Sequence, residues 1–251
     1  MTSPAPLLEL RGLTKRFGRL VVVEDLSFTV FPGEALGVVG PNGAGKSTML
    51  DLVSGVLRAD AGSVTFAGTD VTWLDPAARC RSGIARTYQI PRPFAAMTVF
   101  ENVLVGTTFG SGRRGQPGYE AAYAALETTG LLPHADRPAG ALGLLDRRRL
   151  ELARALATDP RLVLLDEIAG GLSEAELPEL VEDVRSLRNR GVTVIWIEHI
   201  VHALLAVVDR LLCLTFGRAI AIGNPQEVIR SPEVVEVYLG STIEAGEEGG
   251  A

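Results

Sequence analysis

Cysteine is scarce in this 251-residue chain: the two present, Cys80 and Cys213, lie far apart and show no metal-ligand spacing. That excludes a disulfide framework and a cysteine-based zinc site, and leads us to expect buried thiols in a reducing compartment. Basic charge is in short supply as well. Lys and Arg number 24 against 30 Asp and Glu, giving a formal charge of −6, whereas a nucleic-acid-binding surface needs a basic face. No apolar run approaches the ~18–20 residues that span a bilayer. The N-terminal Met1-Thr2-Ser3-Pro4-Ala5-Pro6 lacks the charged-then-apolar profile of a secretion signal. No internal repeat is found. At 47% hydrophobic residues, what remains is an ordinary globular composition, long enough for one or two domains and expected in the cytoplasm.

One stretch stands out. Gly40-Pro41-Asn42-Gly43-Ala44-Gly45-Lys46-Ser47-Thr48 satisfies every position of the phosphate-cradling pattern G-x-x-x-x-G-K-[ST]. It follows an apolar run, Ala35 to Val39, that reads as a buried strand, and precedes a helical pattern from Thr48 to Leu57. Glycines at 40, 43 and 45 let the backbone turn tightly and aim successive N–H groups at phosphate oxygens, and the following helix N-terminus adds partial positive charge. Lys46 is expected to reach the β- and γ-phosphates of a nucleotide, and the Ser47 hydroxyl to ligate Mg²⁺.

Ahead of that loop, Leu7–Leu10, Leu20–Val23 and Leu26–Phe31 alternate with turns and predict antiparallel β structure; Ser63–Ala67 and Asp70–Trp73, around a Gly68-Thr69 turn, join it. From Phe94 to Ala157 the pattern is mainly helical, over 99–106, 119–129 and 146–157, and the glycine-rich connector 109–118 predicts a mobile surface loop. Strand-like runs Leu162–Leu165 and Val192–Ile197 then alternate with helical segments 174–190 and 200–209, which implies βαβ units and a parallel sheet. The run Arg161-Leu162-Val163-Leu164-Leu165-Asp166-Glu167 reads as a strand buried on both faces and ending in two acids. Ligands of open α/β sheets bind beyond such strand ends. Asp166 is therefore expected to hold Mg²⁺ through water, and Glu167 to polarise an attacking water as general base. An acidic helix cap is the alternative reading of this pair.

With both halves of the nucleotide chemistry in place, the chain resembles the nucleotide-binding subunits of ABC transporters along nearly its whole length. The resemblance implies an α/β fold: a P-loop NTPase (RecA-like) parallel-sheet core with an N-terminal antiparallel β subdomain and an inserted helical subdomain. Residues 1–240 would form a single ATPase domain, with 1–88 and 159–240 as the core, 89–158 as the helical subdomain and 241–251 as a disordered acidic tail. Phe17, in Lys15-Arg16-Phe17-Gly18, takes the place of the aromatic that stacks on adenine. Gln89, in Arg86-Thr87-Tyr88-Gln89, takes that of the glutamine that senses Mg²⁺ and the attacking water, and His199, in Trp196-Ile197-Glu198-His199, that of the switch histidine at the γ-phosphate. The implied catalytic set is Lys46, Gln89, Glu167 and His199, with ATP held by Phe17 and residues 40–48, and Mg²⁺ held by Ser47, Gln89 and Asp166.

Two stretches depart from the family pattern. Where the family has Leu-Ser-Gly-Gly-Gln, this chain has Leu142-Gly143-Leu144-Leu145-Asp146, which lacks the serine hydroxyl and two small residues. Ile168 replaces the proline after the acidic pair, and Ser173 stands where Asp or Asn closes the dimer-interface loop. The finer likeness is to importers of branched-chain amino acids and related amides, carried by residues 13–18, 83–89, 97–103 and 232–240. A lipid or lipopolysaccharide exporter subunit is the nearest alternative, with a non-transport ABC ATPase and a non-hydrolysing scaffold behind it. The implied partners are integral-membrane permease subunits, a second ABC ATPase subunit and, indirectly, a solute-binding protein, with no nucleic acid. The implied location is the inner face of the cell membrane. Phe94, between prolines 91 and 93 and the helical segment after Thr98, is either an interface residue for the permease or packed into its own subdomain.

Overall fold

Strand β1 (Leu8–Phe17) turns at Gly18 into β2 (Leu20–Val30), in a computed structural model that describes residues 5–237. The polar breaks inside this region, which the sequence pattern presents as turns, are bulges within two long strands. Gly12 (φ 58°) and Asp25 (φ 48°) take left-handed conformations there. Side chains satisfy the displaced backbone: Gly12 N–H donates to Ser27 Oγ at 2.8 Å and Asp25 N–H to Thr14 Oγ1 at 3.1 Å. Strand β3 (Ala35–Val39) is buried at all five residues and leads through the phosphate loop into α1 (Lys46–Ser54). Strands β4 (Ala61–Phe66) and β5 (Thr69–Asp70) complete an antiparallel sheet of order β2-β1-β4-β5.

The chain divides into two compact units, residues 74–195 and the described residues on either side of them. The 74–195 unit opens with α2 (Pro76–Arg81), capped by the Asp75 carboxylate, and β6 (Ile84–Arg86). Helix α3 (Val99–Gly106) starts in a capping box, with Thr98 Oγ1 accepting from Glu101 N–H and Glu101 Oε2 accepting from Thr98 N–H. Helices α4 (Gln116–Thr128) and α5 (Leu144–Leu156) bury Ala122, Leu126, Leu150 and Ala153 in one cluster with Val99, Val103, Leu131 and Leu142 of the same unit. Strand β7 (Leu162–Asp166) pairs in parallel with β6, α6 (Leu177–Asn189) follows, and β8 (Thr193–Ile197) lies on the other side of β7.

The glycine-rich connector 109–118 is not the loose loop its composition suggests. A π-helical turn occupies Thr107–Ser111, and α4 starts at Gln116. Gly110 is there for close approach, since a Cβ would lie 2.5 Å from the Thr158 side chain.

The remaining described residues add α7 (Val201–Leu205), β9 (Arg210–Thr215), β10 (Arg218–Gly223) and α8 (Pro225–Val228). Strand β9 pairs in parallel with β3 and antiparallel with β10. This α/β architecture, one antiparallel sheet plus parallel pairs linked by helices, is the class expected from the sequence. The expected tail at 241–251 lies outside the described residues. Among the described residues, no helix is long and apolar enough to cross a membrane.

Candidate functional site

The phosphate loop is shaped by backbone that only glycine fits. Gly40 has φ 150°, and a Cβ there would lie 2.1 Å from the Leu214 carbonyl oxygen; Gly45 has φ 96°, and a Cβ would lie 2.5 Å from the Val22 carbonyl oxygen. The loop is therefore wedged against β9 and β2, and Gly217 N–H also donates to the Ala44 carbonyl at 3.0 Å. Lys46, 5% exposed, closes the loop on itself: its Nζ donates to the Gly40 carbonyl at 2.7 Å and to the Pro41 carbonyl at 2.9 Å. Asn42, Gly43 and Ser47 are exposed on the same loop and at the start of α1, while Ala44 is buried. An ammonium encircled by backbone, next to exposed amides at a helix N-terminus, is an anion cradle.

In the same unit Phe17 ends β1 at the tip of the β1–β2 hairpin, half-exposed, with Lys15 Nζ 5.5 Å from its ring centroid. His199 is exposed just past the end of β8. Between them in sequence order, Glu198 is buried and accepts from the Trp196 indole at 3.3 Å.

The 74–195 unit carries the acids. All five residues of β7 are buried, and Asp166 at its end is 5% exposed. Asp166 is held by Arg86: guanidinium Nη2 to carboxylate Oδ2 is 2.9 Å, with the two side chains 9% and 8% exposed. The pairing follows from register, because Arg86 sits opposite Leu164 in the parallel β6–β7 ladder and its side chain reaches forward to the residue two positions on. Glu167 breaks from the strand with φ 47°, and Gln89 Nε2 donates to its Oε2 at 2.6 Å. The backbone on either side is fixed by Arg148, which donates to the carbonyls of Tyr88 (3.4 Å), Gln89 and Gly170 (3.0 Å). Within this unit the structure thus brings Gln89, Asp166 and Glu167 together. It adds Arg86 and Arg148, which the sequence reading did not single out. Arg86 lies three residues before Gln89, which was the available signal for it, and Arg148 carries none.

Around the departing stretches, Gly143 is extended (φ −68°, ψ 176°) and caps α5 without a side chain; Leu144 is exposed and Leu145 buried. Arg147 donates to the carbonyls of Leu142 (2.9 Å) and Gly140 (3.0 Å). Ile168 is 1% exposed, so an apolar residue fills the place of the family's proline. Ser173 and Glu176 cap each other: Ser173 N–H and Oγ donate to Glu176 Oε2 at 2.9 and 2.7 Å, and these bonds hold the Glu176 carboxyl below its usual range. Phe94 is 47% exposed and stacks on the Arg154 guanidinium, 5.2 Å from the ring centroid, while its backbone is pinned by the buried Asn102 side chain.

No group of three or more His, Cys, Asp or Glu that could hold a metal by itself occurs among the described residues. The Ser47 hydroxyl in one unit, and the Asp166 carboxylate and Gln89 amide oxygen in the other, are oxygen donors of the class that suits Mg²⁺, which is bound through one or two carboxylates and completes its shell with water and substrate phosphate.

The ABC transporter family model matches residues 23–170. The high-affinity branched-chain amino acid transport ATP-binding protein LivG of Escherichia coli (strain K12) is 36% identical over 250 residues, covering 94% of this chain and 98% of that protein. The lipopolysaccharide export system ATP-binding protein LptB of Acidithiobacillus ferridurans is 36% identical over 240 residues, covering 95% and 98%. Among solved structures, the ADP conformation of an ATP-binding cassette of an ABC transporter superposes with a TM-score of 0.87 at 32% identity, covering 94% of this chain and 99% of that one. This chain belongs to the ABC transporter family and is one of its ATP-hydrolysing cassettes.

Proposed function

We propose that this cassette drives import of branched-chain amino acids or related amides through integral-membrane permease subunits, paired with a second ATPase subunit and bound to the inner face of the cell membrane. The observation that carries the reading is the likeness to LivG over nearly the full length of both chains, together with an intact phosphate loop. Export of lipopolysaccharide is the second reading, supported by the equal identity to LptB.

The residues divide the work. Phe17 offers a half-exposed ring for the adenine, and residues 40–48 offer backbone N–H groups and the Lys46 ammonium for the phosphates. Lys46 would exchange the Gly40 and Pro41 carbonyls for phosphate oxygens. Ser47, Asp166 and Gln89 are the residues that would hold Mg²⁺, which would supply neutralisation of the phosphate charge. Glu167 accepts the proton of the attacking water, oriented by the Gln89 amide, and His199 contacts the γ-phosphate. The permease would rest a cytoplasmic helix on the exposed Tyr88, Ile90 and Phe94, a group of apolar side chains interleaved with Arg92 and Arg154.

Lys46→Ala tests the nucleotide reading. Hydrogen bonds to charged groups are worth about 1.5–3 kcal/mol each, so ATP affinity should fall at least ~10-fold. Unchanged affinity in a titration would refute it. Co-purification with two polytopic membrane proteins whose vesicles take up leucine on ATP addition would support the importer; ATP-driven release of a lipid would support the exporter instead.

A further inference from the structure

Three consecutive arginines follow Asp146 on the first turns of α5, and each is committed differently. Arg147 bonds the carbonyls of the stretch just before the helix, and Arg149 pairs with Glu179 and Asp183 of α6. Arg148, in the middle, is 5% exposed. Its guanidinium donates to Tyr88 and Gln89 carbonyls on one loop and to the Gly170 carbonyl on another. The first loop supplies Gln89, whose amide donates to the Glu167 carboxylate, and the second begins directly after Glu167. Both loops lie outside the β6–β7 ladder, whose last bond joins Thr87 N–H to the Leu164 carbonyl. Nothing in the ladder therefore fixes the direction of either side chain. A buried guanidinium is a costly way to fill space that methionine would fill without desolvating a charge. Its forked donors can hold two loops in one fixed relation, which a point charge or an apolar side chain cannot do.

We infer that Arg148 is a positioning residue for hydrolysis. It fastens the Gln89 loop and the loop after Glu167 to α5, so that the Gln89 amide stays on the Glu167 carboxylate. Because α5 begins in the Leu142–Asp146 stretch, the same side chain ties that stretch to the general base. A displacement of the α5 N-terminus would be felt at Gln89 and Glu167 through one guanidinium. The inference rests on the reading of Glu167 as the base.

The test uses Arg148→Met and Arg148→Lys in the full chain, with ATP affinity, hydrolysis and hydrogen exchange as readouts. For Arg148→Met we expect ATP affinity within about twofold of the parent, because the phosphate loop is untouched. The kcat should fall about 10- to 100-fold with KM unchanged, the scale that misplacing a reacting group produces. Exchange over residues 88–91 and 168–172 should quicken in the nucleotide-free chain. Combined with Gln89→Ala, the loss should be far less than additive, since both changes act on one contact. Arg148→Lys should recover part of kcat. Arg149→Met, which breaks the ion pairs to α6, should lower the melting temperature and leave kcat in place, separating a loss of stability from a loss of positioning. A parent-like kcat in Arg148→Met, or a loss fully additive with Gln89→Ala, would overturn the inference while ATP binding by the parent keeps the functional reading intact. A parent chain that binds no ATP overturns both.

Discussion

Replacing Arg86 with methionine isolates the best-defined buried ion pair of the site. Methionine keeps an unbranched apolar stem and removes the guanidinium, so Asp166 loses a 2.9 Å charge-assisted bond at a position 8% exposed. Exposed pairs are worth ~0–1 kcal/mol, but breaking a buried one by removing a single partner costs about 3–5 kcal/mol, because the remaining charge keeps its desolvation cost after losing a counter-ion. Against a total stability of about 5–15 kcal/mol that is a large fraction. At ~2–4 °C per kcal/mol for a chain of this size, the melting temperature should drop by about 6–20 °C. The double variant Arg86→Met/Asp166→Asn removes both charges and keeps the shape, and should regain most of the loss. Thermal and urea unfolding followed by circular dichroism read both changes. A single variant within ~1 kcal/mol of the parent, or a double variant no better than the single, would refute the claim that Asp166 depends on Arg86.

Three further outcomes follow from the geometry. Glu167→Gln should keep ATP affinity and nearly abolish turnover, since the amide cannot accept the water proton; hydrolysis at the parent rate would move the base elsewhere, with His199 first in line. Phe94→Ala should uncouple transport from ATP hydrolysis in the assembled transporter, because the half-exposed ring contributes little to the fold; a lowered melting temperature with transport intact would show that its stacking on Arg154 is structural. The isolated chain should hydrolyse ATP feebly compared with the complete transporter, and brisk steady-state turnover by a homodimer would mean that Leu142–Asp146 serves as a working phosphate-binding stretch.

How much could be read from the sequence depended on whether the chemistry is local. The phosphate loop is legible because its glycines, lysine and serine must be contiguous: one backbone turn makes the whole cradle. Asp166 and Glu167 are legible because a strand buried on both faces leaves an unbroken apolar run before them. Arg86 and Arg148 act across 80 and 22–60 positions of sequence, respectively, and their partners are set by register and by loop carbonyls that no residue pattern displays. Strand β6 is only three residues long, too short to show alternation. Gly110 and its neighbours signal flexibility by composition, while the structure uses Gly110 to press a π-helical turn onto Thr158. The bulges at Gly12 and Asp25 look like turns in the sequence for a related reason, since a residue needed for a left-handed backbone has the same signature whether or not the strand continues.

The departures at 142–146 have a coherent physical consequence. The N-terminus of α5 still presents backbone N–H groups, and Gly143 still takes the extended conformation of an N-cap, so the dipolar part of an anion site survives. What is missing is the side-chain part: Gly143 has no hydroxyl, and Leu144 sets an exposed branched side chain where the family has glycine. A lost hydrogen bond to a charged phosphate is worth about 1.5–3 kcal/mol, or ~10–150-fold in binding. Arg147 meanwhile braces the stretch from behind, through the carbonyls of Gly140 and Leu142, so the loop keeps its shape without the serine. A surface that keeps its form and its backbone donors but loses affinity is suited to covering a partner's nucleotide more than to activating it. If the cassette works in a heterodimer, as we propose, the stronger trans contribution would come from the other subunit, whose stretch would face this chain's phosphate loop. On that proposal the cis residues and the weakened stretch of one chain would be two sides of the same division of labour.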